Sequence, residues 1–389
     1  MISRCRQFLP LSLTALVCAT LAMPVGAESA KMPRSLTMSA YDTGSSGFNM
    51  AVAIGKMLKE KESVNLRVLP GGNDVARLAP MKSGRAQASA MGTGGYFAQE
   101  GVFEFATPDW GPQPLQVLLA STSCNGLTLG VAADTGVKEI ADLKGKRVGF
   151  VVGAPALNQN ALAVLAFANL TQEDVTIVEF SSYGAMWKGM TNNEVDAAFA
   201  STLSGQAREV DASPRGLLWP PAPADNAAGW ERLRKVGPYY YQLDATCGAG
   251  GLSKEKPTSL PAYPYPIFMT YAKEKTDTIY ALTKSMIENF DVYKDSAPGA
   301  EGLALDRQNL QWVLPYHEGT VKAFKEAGVW TEEAQQHNDM LVKRQNVLGQ
   351  AWDKFMATKP DEDKEAFTKA WMQVRAAALQ EAGMDVIFN

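Results

Sequence analysis

The chain has 389 residues, 46% of them hydrophobic and 20% charged, with a formal net charge of −4. That length gives room for two domains, each with a core of its own. The balance is mildly acidic and no Lys/Arg block stands out, which argues against a nucleic-acid partner.

The beginning of the chain differs from the rest. Arg4 and Arg6 precede the apolar run 8–21, and Val25-Gly26-Ala27 offers small residues where a signal peptidase reads. The run is too short, given its flanks, for a spanning helix. Residues 1–27 are therefore expected to be a cleaved secretory signal, and the mature chain, two arginines poorer, to work in the periplasm. After residue 27 no apolar run is long enough to cross a bilayer. Cys5 and Cys18 would leave with the signal, since Val17 fits a lipoprotein cleavage site poorly. Cys124 and Cys247 remain in an oxidising compartment, where a pair tends to close. Two separate buried thiols are the alternative. A closed bridge over so long a loop would contribute about 4–5 kcal/mol on the chain-entropy argument.

In the mature chain, 36–40 reads as a short strand that breaks into Tyr41-Asp42-Thr43-Gly44-Ser45-Ser46-Gly47-Phe48-Asn49, and 50–58 has helical spacing. A Gly/Ser loop opening a helix collects unpaired N–H groups at its positive end, a place that favours an anion. An ordinary strand-to-helix turn with a serine cap accounts for the stretch equally. It matches neither a Walker A loop nor the spaced glycines of a dinucleotide site.

A strand follows at 65–69, then a helix over 75–82 with Asn73 or Asp74 as its cap, then a small-residue strand at 86–91 before Gly92-Thr93-Gly94-Gly95. This alternation predicts a parallel sheet with helices on its faces and ligands at the strands' carboxyl ends. The order recurs: a strand at 146–152, the loop Gly153-Ala154-Pro155-Ala156-Leu157-Asn158, an apolar helix over 159–169, and strands at 175–180 and 194–200 ending at Thr202. One common offset pairs Gly44 with Gly153, Asn49 with Asn158, Met81 with Met190 and Thr93 with Thr202, as two lobes of like plan would. Residues 115–123 are strand-like and a candidate crossing between lobes, and a second crossing is expected near 266–271. Two crossings permit a hinged cleft. The tail reads as two helices, one with Met340, Leu341, Val347, Leu348, Ala351, Trp352, Phe355 and Met356 on one face, the other with a stripe from Phe367 to Leu379. Packing on the first lobe is the plain reading, and docking of a partner the sharper one.

Catalytic signals are sparse. His317 and His337 are the only histidines, neither with metal-spaced neighbours, and no Gly-x-Ser-x-Gly elbow is present. No catalytic set, metal or cofactor is expected. Asn49 and Asn158 are either helix-start residues doing local work or ligand donors facing each other. Of the tyrosines at 183 and 239–241, only Tyr183 sits where a strand-to-helix loop should be, while the row of three more commonly packs.

Taken in order, the export signal, Ser39-Ala40-Tyr41-Asp42-Thr43-Gly44-Ser45-Ser46-Gly47-Phe48-Asn49, Leu69-Pro70-Gly71-Gly72-Asn73-Asp74-Val75, Lys144-Gly145-Lys146-Arg147-Val148-Gly149-Phe150 and Asn193-Glu194-Val195-Asp196-Ala197-Ala198-Phe199 resemble the TAXI family of solute-binding proteins of TRAP transporters. So do Pro264-Tyr265-Pro266-Ile267-Phe268-Met269-Thr270, Ile287-Glu288-Asn289-Phe290 and Pro315-Tyr316-His317-Glu318-Gly319, and the likeness spans about residues 35–330. The resemblance implies an α/β, two-lobed fold of the type II periplasmic-binding kind, with hinged lobes, a ligand cleft between them and here an extended helical C-terminus. The lobes would be 31–124 plus 266–389, and 125–265. It further implies a monomer, no enzyme, that captures a small organic acid or amino acid and hands it to a membrane permease. Carried over by position, Ser45, Ser46, Gly47, Asn49, Asn73 and Thr93 of the first lobe would face Ala156, Leu157, Asn158 and Thr202 of the second, with Tyr183 as a cleft-lining candidate. The loop Gly153-Ala154-Pro155-Ala156-Leu157-Asn158 departs from the family's richer Gly, Ser and Thr content, and the tail beyond 330 is longer than usual. The family's ligands are small acids such as glutamate or 2-oxoglutarate. An exported sensory binding protein and, further off, a secreted enzyme are the rival readings.

Overall fold

In the computed structural model, residues 1–2 and 32–388 are described. The expected signal cleavage, Cys5 and Cys18 lie outside the described residues.

Alternation of side chains buries Leu36, Met38 and Ala40 of strand β1 (Ser35–Ala40). The small-residue loop then gives way to helix α1 (Ser46–Glu62), where the Ser45 hydroxyl accepts the Phe48 N–H at 3.3 Å, the expected local cap. After β2 (Asn65–Pro70) comes α2 (Asp74–Lys82), capped by Asn73, whose Oδ1 accepts the Ala76 N–H at 2.7 Å. β3 (Ala88–Met91), α3 (Gly94–Glu100) and β4 (Leu115–Ala120) complete the first run. The second holds β5 (Leu127–Ala132), β6 (Arg147–Val151), α4 (Pro155–Phe167), β7 (Thr176–Phe180), α5 (Tyr183–Thr191), β8 (Ala197–Ser201), α6 (Gly205–Asp211), β9 (Leu217–Leu218) and α7 (Ala227–Val236). The antiparallel pair β10 (Tyr241–Ala245) and β11 (Thr258–Ala262) follows. β12 (Ile267–Tyr271), α8 (Thr276–Glu288), α9 (Phe290–Tyr293), α10 (Glu318–Glu326), α11 (Glu332–Ala357) and α12 (Lys364–Glu381) end the chain. Helix α4 begins at Pro155 and not at Gln159. Proline's fixed φ and missing N–H suit the first helical position, so Ala156, Leu157 and Asn158 belong to the first turn and not to a loop.

Two five-stranded sheets result, ordered β2-β1-β3-β12-β4 and β7-β6-β8-β5-β9. In each, the three strands of the strand–helix–strand run are parallel, and a strand from the far side of a chain crossing enters antiparallel beside the third. This mixed α/β plan is that of the type II periplasmic-binding fold, and the two like sheets account for the internal offset in the sequence. Residues 121–126 and 263–266 carry the chain between the sheets, and they pair with each other through Tyr265 N–H to Ser121 O at 2.7 Å and Ser121 N–H to Pro266 O at 2.9 Å. The Cys124–Cys247 disulfide closes at this junction, as the compartment argument expected.

The tail packs on the first sheet's side. Ala106, Ala351, Phe355, Phe367 and Trp371 form a small second core. Met340, placed on the apolar face by spacing, is 60% exposed. Arg344 and Arg375 instead reach the buried Glu100 at the end of α3. Both histidines do structural work: buried His317 caps α10, its Nδ1 accepting the Gly319 N–H at 3.1 Å, and His337 Nε2 lies 2.7 Å from the Trp312 carbonyl. Burial pushes the His317 imidazole below the ordinary 6.5.

Candidate functional site

Loops at the carboxyl ends of β1, β2 and β3 meet loops at the carboxyl ends of β6, β7 and β8, as parallel units dictate. Between them lies a cavity of about 20 Å³, room for about one water molecule. Its walls carry Tyr41, Ser45, Ser46 and Gly92 from one lobe, Leu127, Ala156, Leu157, Tyr183, Phe199, Ala200 and Ser201 from the other, and Tyr263 and Tyr265 from the second crossing. Admitting even a small acid requires the lobes to part.

Of the residues singled out from the sequence, Ser45, Ser46, Ala156, Leu157 and Tyr183 line this cavity. Gly47 is buried just behind it, where a β-carbon would stand 3.4 Å from the Tyr265 hydroxyl. Asn49 and Asn158 turn to their own loops. The Asn49 amide donates to Gly44 O at 3.2 Å, while Asn158 accepts from the Val151 N–H at 2.9 Å and donates to Val151 O at 3.0 Å. Asn73 both caps α2 and donates across the seam to Val152 O at 3.1 Å. Thr202 donates to Cys247 O at 2.8 Å, behind the wall, and so ties β8 to the disulfide. Thr93 accepts at 3.0 Å from Asn160, a residue that sequence reasoning passed over. Fully buried, Asn160 also donates to the Tyr263 hydroxyl at 3.0 Å and accepts from Tyr239 at 2.6 Å, which joins α4 to α3 and to the crossing.

Two aspartates make the other main cross-lobe contacts. Asp74 is fully buried with Arg77; the pair is ion-bonded, Tyr41 donates to Asp74 Oδ1 at 2.9 Å, and the guanidinium carbon lies 3.3 Å over the Tyr41 ring centroid. The second carboxylate oxygen, Oδ2, accepts the Ala156 N–H at 2.7 Å, so a first-lobe anion caps a second-lobe helix that has no side-chain cap of its own. Asp42 also reaches across to α5, its Oδ2 accepting the Gly184 N–H at 2.8 Å beside that helix's own cap, Ser182. The sequence signalled Asp74 only as a cap for its own helix, and Asp42 not at all.

The cavity's hydroxyls stay neutral. Burial pushes the Tyr183 phenol far up, against the pull of its 2.6 Å contact with Ser204. It carries Tyr265 to about 12, with Arg77 and Ser46 opposing and Asp74 adding. They act as hydrogen-bonding groups, not as charges.

Closure also depends on bare backbone. Tyr183 N–H donates to Gly72 O at 2.9 Å, and a β-carbon on Gly72 would stand 2.6 Å from Ser182 Cβ. Gly72→Ala is expected to wedge the seam open while leaving each lobe folded. Small-angle scattering should then give a larger radius of gyration than for the parent, and identical curves would show that the seam yields without opening.

Among the described residues no group of three or more His, Cys, Asp or Glu side chains gathers to hold a metal ion, and no helix is long and apolar enough to cross a membrane. Several solved structures are similar. One is an ancestral arginine-binding protein bound to arginine, at 15% identity and a TM-score of 0.41, with 68% of this chain and 97% of that chain covered. Another is the alkanesulfonate-binding protein SsuA from Xanthomonas axonopodis pv. citri bound to MOPS, at 15% identity and a TM-score of 0.40, covering 77% of this chain and 96% of that one. An amino acid ABC transporter substrate-binding protein from Streptococcus pneumoniae bound to L-arginine aligns at 14% identity and a TM-score of 0.40, over 70% of this chain and 94% of that one. The profile of one family spans residues 40–328, well over half of the sequence, from the end of β1 past α10 and so through the second sheet and both crossings, and on that match the chain belongs to the NMT1-like family.

Proposed function

We propose that this chain is a periplasmic solute-binding protein of the TAXI kind, which captures a small organic acid or amino acid between its lobes and delivers it to a TRAP membrane permease. The observation that carries the reading is the cavity at the junction of two like lobes, enclosed by hydrogen bonds that a hinge can break and remake. Direct cross-lobe bonds run from Val75 N–H to Gly153 O at 3.2 Å, Gly205 N–H to Gly44 O at 3.1 Å and Gln206 Nε2 to Thr43 O at 3.0 Å. Each exchanges for a bond to water on opening, at a modest net cost of about 1 kcal/mol. A ligand that touches both walls therefore shifts the population toward closure by its differential affinity alone. An acid's carboxylate belongs at the start of α1, where Ser45 and Ser46 face the cavity, because the starts of α4 and α5 are filled by Asp74 and Asp42. The hydroxyl-bearing aromatics would enclose its body.

Thermal unfolding of the mature protein, stripped of carried-over ligand by partial unfolding, tests this against a panel of small acids, amino acids and sugars. At a hundred times its Kd a ligand of the folded state adds about 2.7 kcal/mol, a rise of roughly 5 °C or more. A selective rise without turnover is expected, and no response to any compound would overturn the binding reading. For the permease, uptake of that ligand into vesicles should follow an ion gradient. A requirement for ATP would remove the TRAP assignment.

A further inference from the structure

We infer that the cleft accepts acids with a single carboxylate and an uncharged, largely apolar body, and that Asp74 and Asp42 enforce this choice by occupying the second-lobe positions that another carboxylate would need. The inference rests on the solute-binding reading above and narrows its ligand.

The wall itself comes first. Its residues include Tyr41, Tyr183, Tyr263, Tyr265, Phe199 and Leu157, and no Asp, Glu, Lys, Arg or His side chain lines it. A charged group brought inside would be desolvated without a counter-ion, which is strongly unfavourable. Backbone donors and neutral hydroxyls are the remaining means of holding an anion. In the second lobe the Tyr183 hydroxyl meets Ser204, Ser201 Oγ accepts from Asn125 and the Leu203 N–H, and the backbone donors at the starts of α4 and α5 are already committed. At the start of α4, Pro155 has no N–H, Ala156 N–H goes to Asp74, and the N–H groups of Leu157 and Asn158 both go to Ala154 O, at 3.0 and 3.2 Å. At the start of α5, Tyr183 N–H goes to Gly72 O, Gly184 N–H to Asp42 and Ala185 N–H to Ser182 Oγ at 3.1 Å.

Arg77 cannot be recruited. It is fully buried, paired with Asp74, stacked on Tyr41, and donating to Ala90 O at 2.9 Å. A second ligand carboxylate directed at the second lobe would thus find the starts of α4 and α5 already taken by Asp74 and Asp42 behind the wall, with no donor left there to receive it. Displacing Asp74 from α4 would not help, since its oxygen would lose a charge-assisted hydrogen bond on the way. An ammonium fares no better against the wall, where no side-chain carboxylate is presented.

Isothermal titration of the mature, ligand-stripped protein with two matched pairs decides the matter: succinate against 4-methylpentanoate, and 2-oxoglutarate against 5-methyl-2-oxohexanoate. In each pair an isopropyl group replaces one carboxylate with little change of shape. The monocarboxylate is expected to bind at least about a hundredfold more tightly. Equal or tighter binding of either dicarboxylate would overturn the inference and leave the solute-binding reading standing. If neither member of either pair bound, the inference would fall, and the broader thermal panel would say whether the binding reading falls with it. Asp42→Asn removes the charge at α5 and breaks no ion pair among the described residues. It should narrow the gap between pair members about tenfold, and an unchanged gap would overturn the role given to Asp42.

Discussion

Reduction of Cys124–Cys247, or its replacement by two serines, is expected to lower the unfolding free energy of the protein by about 5 kcal/mol. The bridge spans a sequence separation of 123 with a Cα–Cα distance of 5.6 Å, and a loop of that length loses about that much closure entropy when cross-linked in the unfolded chain. The native state loses something as well. Thr246 N–H donates to Cys124 O at 3.0 Å and Thr202 Oγ1 to Cys247 O at 2.8 Å, so the bridge pins the first crossing to the loop that backs β8. Urea unfolding with and without reductant should show a lower midpoint and a steeper slope, because an uncrosslinked unfolded chain exposes more surface. A melting temperature lower by roughly 10 °C is expected alongside. Two free thiols in the unreduced, denatured protein would rule the bridge out.

Glu100→Gln should cost about 3–5 kcal/mol, the penalty of leaving buried charge without its partner. Glu100 is fully buried and ion-paired to both Arg344 and Arg375, with Arg344 donating from Nε to Oε1 and from Nη2 to Oε2, each at 2.7 Å. Arg375 Nε donates to Glu100 O at 3.0 Å, and the two guanidinium groups also hold Asp385 O and Phe388 O, each at 2.9 Å. A neutral amide would leave two cations facing each other beneath the tail. The melting point should fall by roughly 10 °C, and α11 and α12 should become open to limited proteolysis. Acid supplies a second readout. Burial alone would raise the Glu100 carboxyl, but the hydrogen bonds and charges of Arg344 and Arg375 outweigh it and hold the group below the ordinary 4.5. A group depressed in the folded state adds stability that is present above about pH 4.5 and lost as pH falls through its folded value. The parent and Glu100→Gln proteins should therefore differ widely in urea midpoint at neutral pH and converge at strongly acid pH. A constant difference would place the effect in packing instead of charge.

What could be read from sequence here was local or periodic. The Gly/Ser loop with Ser45 as cap, the recurring strand–helix–strand order, the striped tail helices and the cysteine pair each leave a mark within a short window or a compartment rule. Asn49 and Asn158 show the limit of that kind of reading: an amide at a helix start suits a ligand and its own loop equally, and here both bond their own loops. The links across the cleft had no such mark. Asp74, Asp42 and Asn160 with Tyr263 make their cross-lobe bonds only after two lobes have folded and closed, and one aspartate on a helix cap looks like any other. Glu100 was equally silent, since its partners lie in the tail, far along the chain.

The strand order of the first sheet has a consequence for how this protein comes into being. Strand β12 sits between β3 and β4, so β4 has no neighbour in its own sheet until the whole of the second lobe has been made. A chain threaded outward from its N-terminus can complete the second sheet from contiguous residues while the first waits half-built, with one flank of β3 unpaired. Long-range pairings of this kind slow folding and leave sticky edges exposed in the interval. A chain that cannot finish its first lobe early keeps that sheet open until the second lobe is made, and the insertion of one late strand then serves as the step that commits it to its final form.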